Sequence, residues 1–240
     1  MRPFNRPLLL AALLLGSAPA LGAQTAVDPS GHWEGSIQIP DRELIVEVDL
    51  ARNARGELSG TIGTPAEHVS DIPLRTVAVD GRSVSFNARR DQPFTGTLSA
   101  DGKSISGDAT LSGYDLPFSL SRKGDARIVA PPRSAPIGKE LEGTWNGAID
   151  ANGTSFRFVL ALANQPDGTA AARLISLDEG ELEVPLAITQ QASSVTLVGV
   201  LGSFAGALNT DGTELVGTLT EGAATLPLTL RRAAGTEGRR

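Results

Sequence analysis

The sequence predicts an all-β protein of two tandem antiparallel domains, each of about eight strands. Three observations carry that prediction. Apolar and polar residues alternate with period two, as at Leu44, Val46, Val48 and Leu50 against Glu47 and Asp49. Turn pairs such as Asp80-Gly81, Asp101-Gly102, Asn152-Gly153, Asp167-Gly168 and Asp211-Gly212 separate the runs, and such pairs accept the positive φ of tight hairpins. The same ordered motifs are also written twice along the chain. Hairpin series of this kind close as up-and-down barrels, which removes exposed strand edges, with a two-sheet sandwich as the competing closure.

The N-terminus reads as a segment apart from the fold. Arg2 and Arg6 precede the apolar run Leu8–Leu15, and small residues follow up to Ala23. This is the layout of a secretory signal peptide over residues 1–23, and it predicts a periplasmic or secreted protein. The apolar run is too short to span a bilayer, so no integral membrane segment is expected. The chain has 0 cysteines, which removes disulfides, thiol catalysis, cysteine metal ligation and a lipidated N-terminal cysteine together. Net charge is −6, with no block of basic residues, and that pattern disfavours nucleic acid as a partner.

The first β domain is predicted over 24–122. Alternation continues there at Val84, Phe86 and Ala88, and the last run is Leu116, Phe118, Leu120 and Arg122 on one face. A Pro-rich linker is expected over 123–140, because "APPRSAP" at Ala130–Pro136 favours an extended connector over a strand. The second domain is predicted over 141–232, and the tail 233–240, without apolar periodicity, is expected to be disordered. Copy matches copy in order. Gly31-x-Trp33-x-Gly35 recurs as Gly143-x-Trp145-x-Gly147, and Ile72-Pro73-Leu74 as Val184-Pro185-Leu186. Phe94-x-Gly96-x-Leu98 recurs as Phe204-x-Gly206-x-Leu208, and "LPFSLSR" at Leu116–Arg122 as "LPLTLRR" at Leu226–Arg232.

The chain has 2 tryptophans, and both stand in the repeated opening motif. Trp33 shares a face with Ile37 and Ile39, and Trp145 with Ile149, so each points inward from the first strand of its copy. Arg122 and Arg232 share the inward face at the end of the last strand, where a bare charge would be costly. In a closed barrel the last strand meets the first, so each guanidinium is placed to lie over an indole face and gain a cation–π contact. Trp33, Arg122, Trp145 and Arg232 are thus expected to be structural plugs, one pair per barrel.

A Gly-x-Trp opening with a basic residue closing the last strand resembles the calycin superfamily of lipocalins, fatty-acid-binding proteins and avidins. "GTWNG" at Gly143–Gly147 and the "GELSGTI" strand at Gly56–Ile62 look most like the avidin type. The resemblance implies a closed barrel plugged at one end. The repeat is also similar to β domains that accompany serine-hydrolase domains in some secreted bacterial enzymes, although the catalytic part has no counterpart here.

No residue pattern demands catalysis, and neither a metal nor another cofactor is expected. Gly202-Ser203-Phe204-Ala205-Gly206 sets its serine one place early for a nucleophile elbow, which predicts a strand residue. His32 is expected to face outward beside Trp33, and His68 to be a solvated loop residue near Asp71. Asp178, Glu179, Glu181 and Glu183 cluster without the ligand spacing of a calcium loop and read as a solvated edge. Gly96 and Gly107, with Gly206 and Gly217, face inward and either let strands coil tightly or leave room in the lumen. The expected function is therefore non-enzymatic: binding of a small apolar molecule, such as a fatty acid or similar lipid, in a barrel lumen. The alternative is a filled structural or protein-interaction module, accessory to a secreted hydrolase.

Overall fold

A computed structural model describes residues 28–234 apart from Asn152. The predicted signal peptide and most of the predicted tail lie outside the described residues. The first copy contributes β1 (Gly31–Ile39), β2 (Arg42–Arg52), β3 (Leu58–Thr64), β4 (Val69–Pro73), β5 (Thr76–Asp80), β6 (Ser83–Asn87), β7 (Phe94–Leu98), β8 (Ser104–Leu111) and β9 (Tyr114–Gly124). The second contributes β10 (Gly143–Ala151), β11 (Thr154–Asn164), β12 (Ala170–Ser176), β13 (Glu183–Gln191), β14 (Ser194–Gly199), β15 (Gly202–Leu208), β16 (Glu214–Glu221) and β17 (Ala224–Arg232). The only helical element among the described residues is a 3-10 turn at Pro65–Glu67.

The two copies share a strand order but differ at one point. β10 to β17 form a closed antiparallel barrel, with β17 returning to β10 through Trp145↔Arg232. The first copy is a nine-stranded curled sheet in the order β4-β3-β2-β1-β9-β8-β7-β6-β5. Its two edge strands are consecutive in sequence, and the reason lies at Leu74–Arg75. Leu74 N–H donates to Gly60 on β3, whereas Arg75 N–H donates to Asn87 on β6, so the chain leaves one neighbour and joins the other between these two residues. Leu186 and Ala187 make the same exchange in the second copy, from β12 to β14. There β13 stays continuous and the ring closes; in the first copy the strand breaks.

Each copy buries its own core. Trp33, Val48, Leu50, Phe86, Leu98 and Leu120 belong to one cluster, and Trp145, Leu160, Leu162, Leu197, Leu215 and Leu230 to the other. Gly96 pairs with Gly107 and Gly206 with Gly217 across adjacent strands. A Cβ on Gly107 or Gly217 would strike the facing glycine backbone, and the rings of Phe118 and Phe204 cover Gly96 and Gly206. These glycines serve close strand approach under an aromatic lid.

The predicted linker is seated on the second barrel. Ser134 accepts from Ala170 N–H through its carbonyl and from Ile188 N–H through its hydroxyl, at 2.9 and 2.8 Å. Asn164 holds Ile137 from both sides, at 2.9 and 2.8 Å, and Ile137 and Leu141 are buried in the second core. Proline spacing carries no information about where apolar Ile137 goes.

Candidate functional site

Both Trp–Arg pairs come together, and they do so in matching ways. Arg122 Cζ stands 4.4 Å from the centre of the Trp33 ring, and Arg232 Cζ stands 4.2 Å from that of Trp145. Cation–π attraction is a fraction of what each arginine gains. Arg232 donates to the carbonyls of Gly212 (2.9 Å), Glu142 (2.8 Å) and Glu140, and Arg122 to those of Gly102 (2.7 Å), Asp28 (2.8 Å) and Ser30. Each indole N–H is also satisfied, Trp33 by Pro29 (2.9 Å) and Trp145 by Leu141 (3.0 Å). The parity of the end strands pointed to the ring contact; the carbonyl cage comes from turns and preceding segments that parity does not reach.

The opposite end of the second barrel is open. A cavity of about 340 Å³ enters there and runs inward between Phe156, Phe158, Leu174, Leu197, Phe204 and Leu228. Leu160 and Leu230 form its floor, and Trp145 takes no part in its wall. The size lies at the low end of the ~300–1,000 Å³ typical of ligand pockets, and the walls are apolar as such pockets are.

The interiors of the two copies differ at three equivalent positions. In the first copy Phe86 faces Phe94 across the ladder and Phe118 faces Gly107. The rings pack with centroids 4.8 Å apart for Phe86–Phe94, 5.3 Å for Phe94–Phe118 and 6.3 Å for Phe86–Phe118. In the second copy Leu197 faces Phe204 and Leu228 faces Gly217. Two of three rings have become leucines. Interdigitated rings pack the middle of the first sheet; in the second copy leucines stand at two of those positions, and the rings of Phe156 and Phe158 stand instead where the first copy has Leu44 and Val46, along the cavity wall.

The mouth borders the first domain. Leu182, Val184, Leu186 and Leu201 line the cavity, and the same residues pack against Ile62, Val69 and Ile72 of the first copy. Arg90 N–H donates to Gly180 carbonyl at 2.7 Å, and the Arg90 guanidinium meets Glu181 at 2.5 Å. Arg75 donates to the Glu181 carbonyl at 2.8 Å, and Gly180 (φ +61°) fits so closely that a Cβ would collide with Asp91 and Arg89.

The acidic cluster is solvent-accessible, as expected of a solvated edge, and the fold adds arginine partners that the sequence does not assign. Each carboxylate faces an arginine: Glu181 meets Arg75 and Arg90, Glu183 meets Arg173, and Glu179 lies 4.0 Å from Arg89. Asp178 accepts from the Arg157 guanidinium through both oxygens, at 2.5 and 3.1 Å. That pairing holds the Asp178 carboxyl below its ordinary range and raises Arg157.

The histidines separate. His68 is an exposed loop residue at the end of the 3-10 turn, and no hydrogen bond joins it to Asp71 among the described residues. His32 lies on the strand face opposite Trp33 and is 2% exposed, and with Asp49, Asp71 and Arg127 it lines a second cavity of about 250 Å³. Its Nδ1 lies 3.0 and 3.1 Å from the two Asp49 oxygens, and Asp49 also accepts from Arg127 N–H at 2.7 Å. The outward direction follows from parity, whereas the approach of Arg127 to Asp49 depends on where the linker turns. Ser203 is a strand residue on β15 at the cavity mouth, and both histidines belong to the first copy.

No protein-family model matches the chain, and no curated protein matches it. Solved structures do align. One is a candidate outer membrane protein of Bacteroides fragilis, at 12% identity over 85% of this chain and 97% of that one, with a TM-score of 0.27. Another is a DUF3598-family protein of unknown function from Nostoc punctiforme, at 13% identity over 88% of this chain and 98% of that one, also with a TM-score of 0.27. Likeness at that TM-score carries no conclusion about the function of this chain.

Proposed function

We propose that this chain is an exported, non-enzymatic binding protein whose second barrel holds one small apolar molecule while the first domain is a filled support. The single observation that carries this is the asymmetry of the copies: the same ladder positions hold three packed rings in one and surround an open apolar cavity in the other. Natural interiors pack densely, so an open apolar lumen retained beside a filled duplicate is a feature that needs a use. A calycin-like role fits the eight-stranded ring and its Trp145–Arg232 base. The non-enzymatic reading is supported by the placement of Ser203 in the second copy, whereas both histidines belong to the first. The filled first sheet favours the interaction-module reading for that domain, with a partner such as a secreted hydrolase.

The test is titration of the purified protein with N-phenyl-1-naphthylamine, an uncharged apolar fluorophore. Saturable enhancement at low micromolar concentration with one site per chain supports the reading. No saturable binding, or two equal sites per chain, contradicts it.

A further inference from the structure

Taking the lumen as the binding site, the charges at its mouth say which amphiphiles it takes. Three ionisable side chains line that opening, Arg157 from β11, Glu179 from the β12–β13 turn and Glu221 from the end of β16, with Asp178 bonded to Arg157 beside them. Arg157 is engaged through Nε and Nη2 by both oxygens of Asp178, so its charge at the rim is offset. Arg75 and Arg90, the nearest cations of the first domain, are engaged by Glu181. Glu179 has only Arg89 within reach, at 4.0 Å, and Glu221 forms no ion pair among the described residues. Below this rim the walls are apolar, without another charged side chain in the lining.

We infer that the lumen selects amphiphiles with a cationic head over those with a carboxylate head, with uncharged heads between them. A chain seated between Phe158, Leu197 and Leu228 places its head level with Glu179 and Glu221. An ammonium there gains two carboxylates. A carboxylate head meets the same two charges, and each cation near it is already offset by a carboxylate, which runs against the expectation of a fatty acid. The volume of about 340 Å³, at roughly 30 Å³ per water-sized group, suits a chain of on the order of ten carbons. Exposed pairs are individually weak, ~0.2–1 kcal/mol each, so the preference is several-fold rather than absolute. It also shrinks with added salt.

The experiment displaces N-phenyl-1-naphthylamine from the full chain with decylamine, decanol and decanoate at neutral pH and low salt. Expected is an order of affinity decylamine, decanol, decanoate, with about five- to tenfold between the first and last. Glu179→Gln/Glu221→Gln should bring the three within about twofold. A remote pair of equal charge change, Glu43→Gln/Glu57→Gln, should leave the order intact, which separates the rim from the overall negative charge. Decanoate binding as tightly as decylamine overturns the inference while decanol binding preserves the lumen as a site. Failure of all three to displace the probe overturns both.

Discussion

Arg232 lies over the Trp145 ring at 4.2 Å, and it reaches three backbone carbonyls from that position. One side chain thus joins the last strand, the first strand, the β15–β16 turn and the segment entering the barrel. Arg122 does the same for the first domain. Arg232→Ala is expected to destabilise its domain by about 1–3 kcal/mol, from the lost stacking and the carbonyls left without a donor. Arg232→Lys should recover only part, because an ammonium cannot span the same fork of acceptors. Denaturant midpoints of the two variants check this; an unchanged midpoint for Arg232→Ala would remove the plug from the description.

Ile137 belongs to the segment that proline spacing marks as linker, yet it is 6% exposed within the second core. Ile137→Ala should therefore cost about 2–4 kcal/mol, the range for a buried aliphatic truncation. A surface-like loss under about 0.5 kcal/mol in urea titration would show that the linker is not seated as described.

Gly180 holds φ +61° and has no room for a Cβ against Asp91 and Arg89. Gly180→Ala should loosen the contact between the domains, weakening the Arg90 hydrogen bond and exposing Leu182. Differential scanning calorimetry should then show one transition separating into two, and probe affinity should fall, since Leu182 and Val184 serve both the interface and the lumen wall. A single unsplit transition with unchanged affinity would mean that the first domain does not support the mouth.

Asp178 ties β11 to the β12–β13 turn at the mouth through Arg157. Its folded carboxyl titrates below the ordinary value of 3.8 because Arg157 hydrogen-bonds the charged form. Its contribution to stability is therefore whole above that value and is lost as pH falls through the lower folded one. Binding of the uncharged probe should be flat from about pH 5 to 8 and weaken only in the acid range below about 4. Asp178→Asn should weaken binding modestly at neutral pH and abolish that acid limb; an acid limb that survives the substitution belongs to another group.

Much of this organisation is legible in the sequence, and the parts that are not share a cause. Duplication, strand alternation and the facing of Trp33 with Arg122 arise from local period and order. The clasp between domains does not, because Arg75 and Arg90 lie 106 and 91 residues from Glu181. An acidic stretch read by itself looks solvated; only the fold supplies its arginines. The break at Leu74–Arg75 is equally hidden, since the matching Pro-Leu motif in the second copy permits a continuous strand. The cavity is the subtlest case. Leucine and phenylalanine satisfy the same apolar position in a strand pattern, so Leu197 and Leu228 register as core until cross-strand pairing sets them against Phe86 and Phe118.

That difference between the copies allows the most direct test of a hollow second barrel. Leu197→Phe/Leu228→Phe rebuilds there the aromatic cluster that fills the first copy, using side chains that already line the lumen. Expected is a folded protein, with far-ultraviolet circular dichroism and melting midpoint at or above those of the parent, that no longer binds N-phenyl-1-naphthylamine. Undiminished binding at one site per chain by this folded double variant would contradict the lumen as the binding site.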